Sequence, residues 1–149
     1  MNKQIYNILL ADDDEDDCSF FEEALEELSL ATTLVTVNDG VQLMDFLADK
    51  SGNDLPDILF LDLNMPRKNG SECLTEIRQI EKLKDFPIVI FSTSLDSEIV
   101  DVMYDKDATY YIRKPGDFSK LKSVIENALI TASENNFKKP ARAHFIIQP

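Results

Sequence analysis

Short runs of consecutive apolar residues alternate along the chain with longer stretches in which apolar residues recur every three or four positions. The first run, Ile5–Ala11, predicts a buried strand that passes directly into acid. Asp17–Leu28 follows as a helix with Phe21, Leu25 and Leu28 on one face. Leu34–Val37 predicts a second strand, and Asn38-Asp39-Gly40 turns the chain into a helix carrying Val41, Met44 and Leu47. The third strand, Ile58–Leu61, ends at Asp62, and beyond Pro66 and Gly70 a helix is marked by Leu74, Ile77 and Ile80. Ile88–Phe91 predicts the fourth strand, Asp96–Asp105 a helix and Tyr110–Arg113 the fifth strand. Asp117–Ser133 is the last helix, built on Phe118, Leu121, Val124 and Leu129.

This succession is five βα units. Strands one, three and four are nearly continuous apolar runs, as expected when helices cover both faces of a parallel sheet. The predicted class is α/β, an open doubly wound five-stranded parallel sheet. Residues 1–133 make the domain. Residues 134–149 break the pattern with Asn135-Asn136, Lys138-Lys139-Pro140 and Pro149, and are expected to form a C-terminal tail. Within it, Phe145-Ile146-Ile147 could dock on the domain or on a partner, and His144 is expected in solvent.

Bulk properties narrow the class further. A chain of 149 residues with 44% hydrophobic and 29% charged residues suits one soluble domain. No apolar stretch approaches the roughly 20 residues that span a bilayer, and Met1-Asn2-Lys3-Gln4 lacks the apolar segment of a secretory leader. Cys18 and Cys73 show no metal-type spacing, so free thiols in the cytoplasm are expected. The net charge of −13, from 28 acidic and 15 basic residues, argues against nucleic acid or membrane as a partner.

Ligands of such sheets bind beyond the C-terminal strand ends. Strand one delivers Asp12-Asp13 there, strand three Asp62, strand four Ser92 and strand five Lys114-Pro115. Three carboxylates gathered closely cannot all stay ionised without a compensating cation. Mg2+ suits such a set, because it is held by one or two carboxylates, retained waters and a substrate phosphate. A carboxylate is also a nucleophile able to carry a phosphoryl group. The charge developing on the transferred oxygens would then need the metal, the Lys114 ammonium and the Ser92 hydroxyl. Asp62, ending the strand expected at the centre, is the best-placed nucleophile.

Asp12-Asp13, the segment Leu61-Asp62-Leu63-Asn64-Met65-Pro66-Arg67-Lys68-Asn69-Gly70, Ser92 and Lys114-Pro115 resemble the signature of response-regulator receiver domains, over residues 5 to about 131. The resemblance implies strand order 2-1-3-4-5 in a CheY-like fold, the flavodoxin-like order that also describes CheY itself. It implies Asp62 as phosphoacceptor, Asp13 as a direct Mg2+ ligand, Asp12 acting largely through metal-bound water, and Asn64 offering its carbonyl. Ser92 would hydrogen-bond the phosphoryl group, Lys114 would pair with it, and Lys114-Pro115 would be a cis peptide. Tyr111 stands at the family's switch aromatic, expected to turn inward as Ser92 moves. Ser92 replaces the commoner threonine, Asp107 stands where glycine is usual, and Gly116 where an aromatic is common. The pair Arg67-Lys68 resembles a subgroup of stand-alone regulators found with phytochrome-like kinases. The implied function is a single-domain two-component regulator that takes phosphate from a sensor histidine kinase or a histidine phosphotransfer protein. Its output would be an unknown protein partner, with a homodimer left open, and it would not be an enzyme beyond assisting its own phosphorylation and dephosphorylation.

Plainer readings stand beside these. Acids after a strand favour a helix N-terminus through its dipole, and Asp14, Glu15, Asp16 and Asp17 keep that reading. Ser92-Thr93-Ser94 is also turn chemistry, and Tyr111 suits sheet packing. Two other functions are compatible with parts of the pattern. A phosphatase with an aspartyl intermediate generally wants a second aspartate two residues after the nucleophile, where this chain has Asn64. A pseudo-receiver would bind its partner without phosphorylation, which the complete acid set, Ser92 and Lys114 argue against.

Overall fold

The computed structural model describes residues 5–149. Five strands, β1 (Tyr6–Ala11), β2 (Thr32–Val37), β3 (Ile58–Leu61), β4 (Ile88–Ser92) and β5 (Tyr110–Arg113), form one sheet. All neighbours pair parallel, in the order β2-β1-β3-β4-β5. The helices are α1 (Glu15–Glu26), α2 (Gly40–Ala48), α3 (Gly70–Gln79), α4 (Ser97–Asp105) and α5 (Phe118–Glu134). The doubly wound α/β architecture expected from the sequence, and the strand order implied by the resemblance, are those observed.

Strand alternation sorts the apolar residues into two layers. Ile8 and Leu10, Ile58 and Phe60, and Val89 and Phe91 pack in one core with α1 and α5. Leu9, Leu59, Leu61, Ile88 and Ile90 pack in the other, with α2, α3 and α4. β3 and β4 are buried along their whole length, which is why their sequences show no polar alternation. Phe21, Phe60 and Phe91 meet edge to face in the first layer, with centroids 5.0 to 6.2 Å apart.

An Asp or Asn caps each of the five helices. Asp14, Asp39, Asn69, Asp96 and Asp117 accept hydrogen bonds from backbone N–H groups in the first turns. The cap at Asp14 starts α1 at Glu15, ahead of the expected Asp17. β2 starts at Thr32, two residues early, because the ladder to β1 opens with Tyr6 opposite Thr32 and the polar Thr33 hydroxyl donates to Asn7. Asp107 has φ 68, the left-handed geometry that glycine usually fills, and Ala108 N–H then reaches back to the Met103 carbonyl.

The segment past α5 is part of the packed fold and not a loose tail. Asn136 and Phe137 take left-handed φ values of 57 and 58 and reverse the chain. The Tyr104 hydroxyl then donates to the Pro140 carbonyl at 3.1 Å, and Arg142 holds Asp101 of α4. Tyr111 of β5 donates its N–H to Phe145, and Ile147 N–H donates to Tyr111, at 3.0 and 2.9 Å. This single parallel bridge, Tyr111 to Ile146, covers the β5 edge. Phe145 is fully buried, its ring 5.0 Å from that of Tyr104 and 6.2 Å from that of Tyr111. His144 is exposed, as expected. Docking supplies its own driving force, since Phe145 is buried in the layer with α4 and Ile147 in the layer with α5, flanking a half-buried Ile146.

Truncation of a fully buried Phe typically costs about 3–5 kcal/mol. Phe145→Ala is therefore expected to lower stability in urea by about 3 kcal/mol. A loss below about 0.5 kcal/mol, the size of an ordinary surface change, would show that the segment does not belong to the cooperative unit.

Candidate functional site

The site is assembled where the strands end. β1 pairs with both β2 and β3, so Asp12 N–H reaches the Val37 carbonyl at 3.0 Å and Asp62 N–H the Ala11 carbonyl at 2.9 Å. This brings the ends of β1 and β3 side by side. Asp12 is fully buried, Asp62 is nearly so, and Asp13 is exposed. One oxygen from each of the three lies within 4.8 Å of the others. Asn64 stays at the rim and donates its backbone N–H to Asp62 Oδ1 at 3.3 Å. The β3–α3 loop is tightly closed there, because a Cβ on Gly70 would overlap the Asp62 carbonyl oxygen.

Lys114 enters from the far side. Its N–H donates to the Ser92 carbonyl at 2.7 Å, extending the β4–β5 ladder by one residue. Its ammonium donates to Asp12 Oδ2 at 2.8 Å and to Asp17 Oδ2 at 2.9 Å, and lies 3.7 Å from Asp62 Oδ1. Ser92 is buried at the end of β4, where its hydroxyl oxygen accepts from Ser94 N–H at 3.2 Å. That bond leaves the hydroxyl hydrogen to donate. Tyr111 is fully buried, and its hydroxyl donates to the Ser94 carbonyl at 2.6 Å.

The expected residues thus converge, with one correction. The described backbone contains no cis peptide, so Lys114–Pro115 is trans. Trans is the default even before proline, by about 0.5–1 kcal/mol. The β4–β5 ladder, through Ser92, already points the lysine at Asp12, so its aim does not depend on a cis bond. Asp17 joins the site although nothing in the run of acids distinguishes it from its neighbours. A usable signal existed only in retrospect, as an acid in the first helical turn facing the same edge as Asp12.

Electrostatics follow from burial. Burial pushes Asp62 up to about 6; the nearby Lys114 charge opposes this and Asp12 adds to it. Burial also raises Asp12, against the hydrogen bond from Lys114. Burial works against the Lys114 ammonium, but the hydrogen bonds it donates to Asp12 and Asp17 outweigh this and hold the group above the usual lysine value. The lysine does not fully compensate the carboxylates, which leaves a site with surplus negative charge. All three donors are hard oxygens. Oxygens bound at about 2.1 Å on one ion lie about 3 Å apart when adjacent and about 4.2 Å when opposite. The Asp12, Asp13 and Asp62 oxygens are close enough to meet that spacing with small side-chain adjustments.

Residues 8–126 match the family described as response regulator receiver domain. The chain belongs to that family. Response regulator Rcp1 of a Synechocystis strain is 30% identical to this receiver over 122 residues, 80% of this chain and 83% of that protein. The structure of the phosphorylated cyanobacterial phytochrome response regulator RcpA is similar at TM-score 0.77 and 30% identity, over 91% of this chain and 99% of that one. The Mn2+-bound form of Rcp1 is similar at TM-score 0.75 and 28% identity, with the same coverages of 91% and 99%. Among the described residues of this receiver, no helix is long and apolar enough to cross a membrane.

Because Asp62 binds its proton more tightly folded than unfolded, ionising it opposes folding. Without a divalent ion, this penalty is fully present above about pH 6 and is relieved as pH falls toward the ordinary value of 3.8. At about 1.36 kcal/mol per tenfold change in proton affinity it amounts to about 3 kcal/mol. In chelator at pH 8, Asp62→Asn is expected to raise stability toward urea by 1–3 kcal/mol, on the order of that penalty. The gain should shrink as pH drops from 7 to 4. Destabilisation by the variant at pH 8 would contradict this account.

Proposed function

We propose that this receiver accepts a phosphoryl group on Asp62 and thereby changes its contacts with a protein partner. The observation that supports this most directly is the nearly buried Asp62 carboxylate, beside Asp12 and Asp13, with the Lys114 ammonium 3.7 Å away. Asp62 with a pKa of about 6 is largely ionised at neutral pH and keeps a basic, nucleophilic oxygen. Its carboxylate oxygen would attack the phosphorus of a phosphohistidine on a sensor kinase or histidine phosphotransfer protein. A P–O bond forms as the P–N bond breaks, and the departing imidazole nitrogen takes the electron pair and then a proton.

Asp12, Asp13 and Asp62, with the Asn64 carbonyl, would hold Mg2+, and the ion would supply positive charge for the phosphoryl oxygens. Lys114 would turn from Asp12 and Asp17 toward the new group, and Ser92 would donate its hydroxyl hydrogen. Tyr111 is already inward and fastened to the loop after Ser92, so a shift of that loop would be felt at the ring. The output is a shift between two arrangements of that loop and of the surfaces beside it. Asn64 occupies the place where an aspartyl phosphatase would want a second aspartate, so turnover is not expected. Cytoplasmic residence agrees with Cys18 and Cys73, whose thiols burial pushes up to about 11 and keeps protonated.

With a small phosphoryl donor and Mg2+, the wild-type chain is expected to gain one phosphoryl group by intact mass, and Asp62→Asn none. Undiminished labelling of that variant would reject Asp62 as acceptor. Lys114→Ala should still label, at an initial rate lower by about a hundredfold or more, as when a charge-stabilising donor is removed. An unchanged rate would remove Lys114 from the mechanism.

A further inference from the structure

Asp17 differs from the other acids that open α1. Asp14 is consumed as the helix cap, accepting from Asp17 N–H at 3.0 Å, while Glu15 and Asp16 point into solvent. The Asp17 side chain, about a third exposed, turns back and takes the Lys114 ammonium at 2.9 Å. Lys114 has three N–H bonds to give. Asp12 and Asp17 accept two of them, and the remaining separation to Asp62, 3.7 Å, is too long for a hydrogen bond. Asp12 alone, fully buried at 2.8 Å, would already keep the ammonium in the pocket. The Asp17 contact therefore adds a pull from the solvent side.

We propose that Asp17 is a positioning residue that restrains Lys114 away from Asp62 and so slows its engagement with the phosphoryl group. The inference rests on Asp62 being the acceptor. When charge builds on the transferred phosphoryl oxygens, Lys114 has to give up part of its bond to Asp17. A partly exposed ion pair is a modest tether, so the restraint tunes the rate and does not block it. α1 thereby acquires a direct connection to the chemistry, from an element that contributes no group to the phosphoryl transfer itself.

The test is a double-mutant cycle on the initial rate of phosphorylation by a small donor with saturating Mg2+, read by intact mass. Asp17→Asn, which keeps the shape and removes the charge, is expected to speed labelling roughly threefold to tenfold. Asp17→Glu retains a carboxylate for the ammonium and should return toward the wild-type rate. In a Lys114→Ala background, Asp17→Asn should have no effect, because the residue it acts through is gone. A slower or unchanged rate in Asp17→Asn alone overturns the proposal. An equal acceleration in the Lys114→Ala background also overturns it, because the effect would then be general repulsion of the donor. A wild-type chain that takes no phosphoryl group sinks the acceptor reading and this inference together, whereas normal wild-type labelling with a silent Asp17→Asn sinks the inference alone.

Discussion

Carboxylates can be buried beside one another only if positive charge stands among them, and here the ammonium of Lys114 does so. It ties together residues from the ends of β1 and β5 and from the first turn of α1, about a hundred positions apart along the chain. Burial raises Asp62 and Asp12 in spite of that charge, and Asp13 and Asp17 add two more carboxylates around the one lysine. A site balanced by one lysine would be a structural ion pair. One left with surplus negative charge suits a further cation, which the proposed phosphoryl transfer would need.

The rest of the fold serves to hold that arrangement still. β3 and β4 lie between two layers of helix and are buried on both faces, so the backbone beneath Asp62 and Ser92 has little freedom. The Asx caps anchor the helix starts on the loops that leave the strand ends, so all five stand at the functional edge. Among them, Asp14 follows Asp12-Asp13, Asn69 closes the loop from Asp62 with a capping box, and Asp117 begins α5 just past Lys114. Four of the five caps are aspartates, a structural use of acid that is separate from the cluster at Asp12, Asp13 and Asp62.

Most of this was legible in the sequence, for identifiable reasons. Continuous apolar runs and period-3.6 patterns placed the elements, and the rule that ligands lie past strand ends then selected Asp12, Asp13, Asp62, Ser92 and Lys114. Asp17 was not legible, because a residue in a run of acids looks the same whether it faces solvent or a lysine ninety-seven positions away. The trans geometry of Lys114–Pro115 was not legible either, since the ladder that aims the lysine is a tertiary fact. The last sixteen residues were ambiguous because Pro and paired Asn signal irregular structure, and irregular backbone can pack as well as fray. Phe145 and Ile147 decided the matter by burial, which composition does not encode.

Tyr111 is gripped from two directions. Its hydroxyl holds the Ser94 carbonyl beside the acidic cluster, while its backbone and ring are joined to residues 145–147. A rotation of that ring cannot be a private event of one side chain, because it would unmake the aromatic contact with Phe145 as well as the bond to the loop. The chain terminus therefore acts as ballast on the phenol, adding inertia to any rearrangement that begins at Asp62 and linking it mechanically to the far margin of the sheet.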